Sequence, residues 1–355
     1  MNAPPPAGRA DAAPNQLPIF AADDATARAG AIAALRSGLL VVVPTETVYG
    51  LAADARQAEA VARVFDAKGR PSHNPLIVHV SDVEAARALG HLDEDAEALA
   101  AHFWPGPLTL VVPRRHATGL ASAVTAGLDT VALRVPAQPA FRALLAESGL
   151  ALAAPSANPS GRLSPTLAIH AAADLAGCAA MVAAVLDGGP CALGLESTIV
   201  ALGDRTRDAA DAAASGTRTP SLPRLLRLGA LPIEAIEQVV GPLQRPAPGG
   251  PVEAPGMMLR HYAPGRPLRI NAEAPHPGEA YVAFGPNCSA GAFCNLSPRG
   301  DVGEAAAALF AALRAADAAP GYRAIAVAPI PRHGLGNAIR DRLERAVGAT
   351  ASGER

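Results

Sequence analysis

Leu39-Leu40-Val41-Val42-Val43 is an unbroken apolar run of five residues that stops at Pro44. A run this short and uniformly apolar suits a strand buried on both faces, the kind found where helices cover a sheet. The pattern recurs along the chain. Asp24 to Ser37 and Gln57 to Ala67 have helical spacing, and Pro75 to Val80, Leu108 to Val112 and Thr130 to Val135 are strand-like. Gln138 to Ser148 is expected as a helix and Leu150 to Ala154 as another buried strand. Thr166 to Ala176, Met181 to Leu186, Ser197 to Leu202 and Leu225 to Leu228 continue the alternation. Ser81 is the expected N-cap of the helix after Val80. Some strands follow one another without a helix between them, so the expected class is α/β with a mixed parallel and antiparallel sheet.

The 355 residues are enough for about two domains at ~150 residues each. Half of them are hydrophobic but only 3% are aromatic, so the core must be built from Leu, Val, Ile and Ala. Gly203 to Pro223 is non-periodic and polar, as in a surface insertion. Gly241 to Pro267 is dense in Pro and Gly, which marks a stiff, extended linker. Beyond it, Leu268 to Ile270, Ala280 to Phe284 and Ala324 to Ala328 are expected as strands, with helices over Asp301 to Ala316 and Leu335 to Val347. The expected organisation is a disordered tail over 1–17, a first domain over 18–240, the linker over 241–267 and a smaller α/β domain over 268–355.

A net charge of −2 gives no global electrostatic case for a nucleic-acid coat or a membrane-surface protein, although a local basic patch remains open. Cys178, Cys191, Cys288 and Cys294 form no CxxC pair and lie near no histidine at zinc-ligand spacing, so they read as free thiols or small buried hydrophobes in a reducing compartment. No apolar run reaches the ~18 residues of a membrane span. Met1 to Gln16 lacks a basic-then-apolar signal pattern. A cytoplasmic protein is expected.

Of 30 basic residues one alone is lysine, Lys68, within Lys68-Gly69-Arg70-Pro71-Ser72-His73-Asn74-Pro75. A compact ammonium and a planar guanidinium do not substitute freely at a site shaped for one of them. The adjoining Gly69, Arg70 and Pro71 suggest a loop that holds an anion. Neither GxxxxGK[ST] nor a GxGxxG after a strand is present. Three further loops flank buried strands, where open α/β sheets collect ligands. They are Pro44-Thr45-Glu46-Thr47-Val48-Tyr49-Gly50-Leu51, Ala154-Pro155-Ser156-Ala157-Asn158-Pro159-Ser160-Gly161 with Ser164 beyond it, and Gly194-Leu195-Glu196-Ser197-Thr198. Ser164 is equally well explained as a helix N-cap. Arg134 and Arg227 interrupt apolar strands, which is costly unless an anion or a structural partner meets them. Arg260-His261-Tyr262 breaks the bland linker and reads either as a lid or as an anchor. His79, inside a strand, is the remaining lone candidate, although a histidine in a strand is usually a satisfied core residue.

In their ordered succession, with Pro105-Gly106-Pro107-Leu108-Thr109, Leu226 to Gly229, Pro255 to Pro264 and Arg332-His333-Gly334-Leu335-Gly336-Asn337 followed by Arg342-Leu343-Glu344, these segments resemble the YrdC-like family in its long, two-domain threonylcarbamoyl-AMP synthase form. The resemblance implies a twisted mixed sheet with a concave basic face and a Rossmann-like accessory domain. It implies an enzyme that joins L-threonine, bicarbonate or CO2, and ATP, accompanied by Mg2+, into threonylcarbamoyl-adenylate for a downstream tRNA-modifying threonylcarbamoyl-transferase complex. By resemblance, Lys68, Arg70, Ser156 and Asn158 would form the catalytic phosphate cluster, assisted toward ATP by Ser72, Ser164, Arg227 and Tyr262. Thr45, His79, Thr109, Arg134, Ser156 and Ser197 would hold threonine and its carbamate. No protein ligand to a metal is implied. Two competing readings are an RNA-binding or ribosome-maturation module using the basic face, and a related carbamoyl-adenylate enzyme. The latter normally carries CxxC segments, which are absent from this sequence.

Overall fold

The apolar run forms β2 (Leu40–Val43), and all four of its residues are buried. Leu40 and Val42 join one core while Val41 and Val43 join another, so the strand feeds both faces of its sheet. The structure is a computed structural model that describes residues 16–202, 222–245, 253–255, 262–288 and 291–350.

Among the described residues ten strands make the first sheet. Their spatial order is β1 (Ile19–Ala21), β8 (Val182–Asp187), β2, β3 (Gly50–Asp54), β7 (Leu152–Ala153), β4 (Ile77–His79), β6 (Thr130–Arg134), β5 (Leu108–Pro113), β9 (Thr198–Ala201) and β10 (Arg224–Arg227). The β1–β8, β2–β8, β4–β6 and β5–β9 pairs are parallel; the others are antiparallel, giving the mixed sheet of an α/β fold. One face is covered by α1 (Ala25–Arg36) and α6 (Pro139–Ser148), through Ile32, Leu35, Phe141, Leu144 and Leu145. The other is covered by elements that include α2 (Ala58–Lys68) and α4 (Glu94–Phe103), through Val61, Val64 and Leu99.

Several details depart from the sequence expectations. Gly50-Leu51, placed in a loop, begin β3, whose small residues are all buried and show no alternation to betray a strand. The cap of α3 (Val83–Arg87) is Asp82, not Ser81: Asp82 Oδ1 accepts from Ala85 N at 2.8 Å, and Ser81 Oγ donates to Asp82 Oδ2 at 2.8 Å. A carboxylate is the stronger acceptor for helix-end amides, and it draws in its hydroxyl neighbour. Leu17, assigned to the tail, is buried in the core. Most of the expected insertion, 203–221, lies outside the described residues, as do Arg260 and His261.

The second sheet is wholly parallel, in the order β11 (Leu268–Arg269), β14 (Ala324–Val327), β12 (Glu279–Ala283), β13 (Cys294–Asn295). After α8 (Ile233–Val240) and the linker, this smaller lobe adds α9 (Val302–Ala318) and α10 (Leu335–Thr350). Its core does not end at the lobe boundary, because Val48, Leu163, Leu195 and Tyr262 join Leu309, Phe310, Ile339 and Leu343 in one buried cluster. Gly194 makes that contact possible: its φ is +68°, and a Cβ there would stand 2.5 Å from the α9 main chain at Ala306 O.

Candidate active site

A single cavity collects side chains from all the loops flagged in the sequence. Thr45, Thr47 and Val48 come from the β2–β3 connection, Arg70 from the turn after α2, and His79 and Arg134 from the ends of β4 and β6. Ser156 follows β7, Glu196 and Ser197 precede β9, Arg227 ends β10, and Pro255 and Tyr262 arrive from the linker.

Three buried guanidiniums dominate it. Arg134 donates to Glu46 Oε1 at 2.6 Å, Thr47 Oγ1 at 3.1 Å and Gly106 O at 3.2 Å. Arg227 donates to Ser197 O at 2.9 Å, Ser197 Oγ at 3.0 Å and Pro255 O at 3.1 Å. Arg70 donates to Asn74 O at 3.2 Å and Pro75 O at 2.8 Å; burial, seconded by the repulsion of Arg227, lowers its pKa to about 10. Arg70 and Arg227 thus place their donors on carbonyls and a hydroxyl, and among the described residues neither forms an ion pair with a carboxylate, an arrangement that favours an incoming anion.

The neutral groups are set with equal care. Thr45 Oγ1 accepts from the Thr47 and Val48 amides, both at 3.1 Å, and donates to Val48 O at 2.6 Å, fixing its loop as a closed turn. His79 is held neutral, because burial and the nearby Arg134 bring its pKa down to about 3; its Nδ1 has no hydrogen-bond partner among the described residues.

The expected site residues divide into three groups. Thr45, Arg70, His79, Arg134, Ser156, Ser197, Arg227 and Tyr262 line the cavity. Lys68, Asn158, Thr109 and Ser164 are buried one layer behind it. Lys68 Nζ donates to Ser156 O at 2.6 Å and Asn158 O at 2.5 Å, and burial, then Arg70, pushes its pKa well down. Asn158 Nδ2 donates to Pro159 O and Arg162 O, at 2.8 and 3.0 Å, while its Oδ1 has no partner among the described residues. Thr109 Oγ1 meets Ser197 Oγ at 2.8 Å. Ser164 caps no helix; its Oγ donates to Glu196 Oε1 at 2.5 Å, and α7 (Ala168–Asp174) begins later without a side-chain cap. Ser72 is exposed and stands apart from the cavity. Thr47, Glu46 and Glu196, each inside a flagged loop but given no role there, also belong to the site, as does Arg342, which reaches Glu196 from the other lobe at 2.8 Å.

Among the described residues no three His, Cys, Asp or Glu side chains cluster to hold a metal ion, and no helix is long and apolar enough to cross a membrane. The carboxylate lining the cavity, Glu196, is already engaged by Ser164 and Arg342.

A Threonylcarbamoyl-AMP synthase of Bacillus subtilis is 40% identical over 347 residues, covering 90% of this chain and 92% of the relative. The chain belongs to the threonylcarbamoyl-AMP synthase family. Two family profiles agree with that membership: Sua5/YciO/YrdC, described as telomere recombination, over 33–209, and the threonylcarbamoyl-AMP synthase C-terminal domain over 231–348. A Pyrococcus abyssi Threonylcarbamoyl-AMP synthase is 45% identical over 236 residues, 65% of this chain and 63% of the relative. The solved structure of P. abyssi Sua5 complexed with L-threonine superposes with a TM-score of 0.78 at 37% identity, covering 91% of this chain and 94% of that one.

Proposed function

We propose that this family member is an L-threonylcarbamoyladenylate synthase, a nucleotidyltransferase that consumes L-threonine, bicarbonate or CO2, and ATP and releases pyrophosphate. The observation that carries the reading is the set of three buried guanidiniums, Arg70, Arg134 and Arg227, around one cavity whose lining carboxylate is neutralised from the other lobe. Such a cavity suits the threonine carboxylate, the carbamate formed from it and the ATP phosphates, all of them anionic groups. The P. abyssi relative in complex with L-threonine supports the choice of amino acid.

The chemistry asks little covalent work of the protein. The threonine amine, as the free base, adds to CO2 and loses a proton to solvent to give a carbamate, and one carbamate oxygen attacks the α-phosphorus of ATP. The bond from that phosphorus to the bridging oxygen breaks, and pyrophosphate leaves with the electron pair; when bicarbonate is the source, one water is also released. Rate enhancement then comes from positioning and charge stabilisation. Arg134, Thr45, His79 and Ser197, backed by Thr109, face the threonine side. Arg70, Ser156 and Arg227 face the phosphates, with Ser164 acting through Glu196 and with Lys68 and Asn158 holding the Ser156 turn from behind. Tyr262 closes the cavity, and Ser72 lies exposed on the loop that follows Arg70. Mg2+ enters as the MgATP substrate, held by phosphate oxygens rather than by protein carboxylates. The reading includes a cytoplasmic location and delivery of the product to a tRNA-modifying threonylcarbamoyl-transferase complex. Direct RNA binding fits less well, because these arginines are buried in a pocket rather than spread over a surface that a phosphodiester backbone can follow.

The test is pyrophosphate release from ATP with threonine and bicarbonate together, with either omitted, and with serine in place of threonine. Release should require both co-substrates and favour threonine. Release that ignores threonine would overturn the assignment.

A further inference from the structure

Arg342, on α10 of the small lobe, is only 1% exposed, and every group it meets beyond its own helix is part of, or adjoins, the cavity in the large lobe. Its Nε donates to Glu196 Oε2 at 2.8 Å and its Nη2 to Leu228 O at 2.8 Å, next to the cavity-lining Arg227. Its Nη1 is held by the adjacent Asp341 at 2.6 Å, so the guanidinium has little freedom. Its guanidinium carbon Cζ lies over the Tyr262 ring, 4.7 Å from the ring centre.

Two consequences follow. Glu196 lines the cavity together with Arg227; without another cation it would pair with Arg227 or repel an entering polyphosphate. Burial alone would raise the Glu196 pKa, but Arg342 and then Arg227 outweigh it and keep the group ionised. The carboxylate is therefore a full charge that needs a permanent partner, and Arg342 supplies one that no ligand displaces. Tyr262, for its part, sits at φ +65°, a left-handed conformation that a side-chain-bearing residue holds only when its surroundings impose it. Those surroundings come from both lobes. The ring packs on Arg342 and, at 5.8 Å, on Phe310 of α9, while the next residue, Ala263, donates its amide to Gly161 O of the large lobe at 2.8 Å.

We propose that Arg342 is a positioning residue of the active site: it neutralises Glu196 so that Arg227 stays available to ATP phosphates, and it holds Tyr262 over the cavity. The small lobe thereby completes the site. This rests on the proposed synthase function, and its test keeps the two separable.

In the full chain, ATP affinity by calorimetry and steady-state pyrophosphate release are compared for wild type, R342M, R342K and the double variant R342M/E196Q. R342M should weaken ATP binding by about tenfold or more, because Glu196 is left as an uncompensated charge in the cavity. The double variant should regain most of that affinity. R342K keeps a cation beside Glu196, so with its fold verified by circular dichroism its ATP affinity should stay near wild type, whereas kcat should fall because an ammonium offers no planar face to Tyr262. If the double variant binds ATP no better than R342M, or if R342K keeps full kcat, Arg342 is merely a packing residue and the proposal is wrong. Should wild type bind ATP yet release no pyrophosphate with threonine, the synthase reading fails, while the affinity series still decides the role of Arg342.

Discussion

Lys68 Nζ lies 2.5 Å from the main-chain oxygen of Asn158 and, with Ser156 O at 2.6 Å, clamps both ends of the Ser156-Ala157-Asn158 turn from beneath the cavity. The retained lysine is explained by this geometry. A compact ammonium can donate to two converging carbonyls in a space that a guanidinium fork does not fit, and Arg70, two residues on, already supplies the planar cation that lines the cavity.

Lys68→Arg and Lys68→Met should therefore both impair pyrophosphate release, by about 10²-fold, the scale of losing one aligned donor set. The loss comes through the displaced Ser156 turn. Steady-state kinetics on the two variants check this; wild-type rates in Lys68→Arg would show that charge alone, and not ammonium geometry, matters there.

Gly194 should be intolerant of a side chain. A Cβ at this position meets Ala306 O at 2.5 Å and Ala307 Cα at 2.5 Å, both main-chain atoms of α9, and the backbone is already left-handed at φ +68°. Gly194→Ala should cost about 2 kcal/mol or more in denaturant unfolding, combining backbone strain with a forced separation of the lobes. Its activity should fall as well, because the separation moves Arg342 and Phe310 away from Tyr262.

Acid should destabilise the protein partly through His79. Its pKa is 6.5 in an ordinary setting but about 3 here, lowered first by burial and then by Arg134. The unfolded chain binds this proton below about pH 6.5 and the folded chain only near pH 3, so the contribution is complete above the ordinary value and is lost as pH falls between the two. The slope should be about 1 kcal/mol per pH unit. Urea midpoints between pH 4.5 and 7 should show a shallower dependence in His79→Gln; an unchanged slope would place the acid sensitivity elsewhere.

The site-bearing loops were legible because each interrupts or ends an apolar strand with residues that a sheet has no use for: Arg134 in β6, Arg227 in β10, and Ser156 and Asn158 after β7. Burial of a guanidinium in a strand demands a partner, and the sequence shows that demand without showing which partner meets it. Arg134 met Glu46, from its own lobe, 88 positions away; Arg342 met Glu196, 146 positions away and in the other lobe. No local periodicity encodes such pairings. Lys68 illustrates the same gap: its singularity marked a constrained site, but only tertiary structure separates a cavity-lining cation from one that holds the lining turn. The short β3 escaped for another reason, because a buried strand of small residues carries no alternation.

Glu46 and Arg134 permit the recognition role of one arginine to be separated from its structural role. Their ion pair is 2.6 Å long and nearly buried, and Glu46 Oε2 has no partner among the described residues. Arg134→Met leaves that carboxylate uncompensated, so about 3 kcal/mol of stability should be lost along with the activity. Glu46→Gln in the same chain removes the orphan charge, and most of the stability should return by denaturant titration. Threonine-dependent pyrophosphate release should not return, since the double variant still lacks the cation that the carbamate or carboxylate of the amino acid would meet. Recovery of both together would mean that Arg134 serves the fold alone, and the amino-acid side of the cavity would then have to be anchored by the hydroxyls of Thr45 and Ser197.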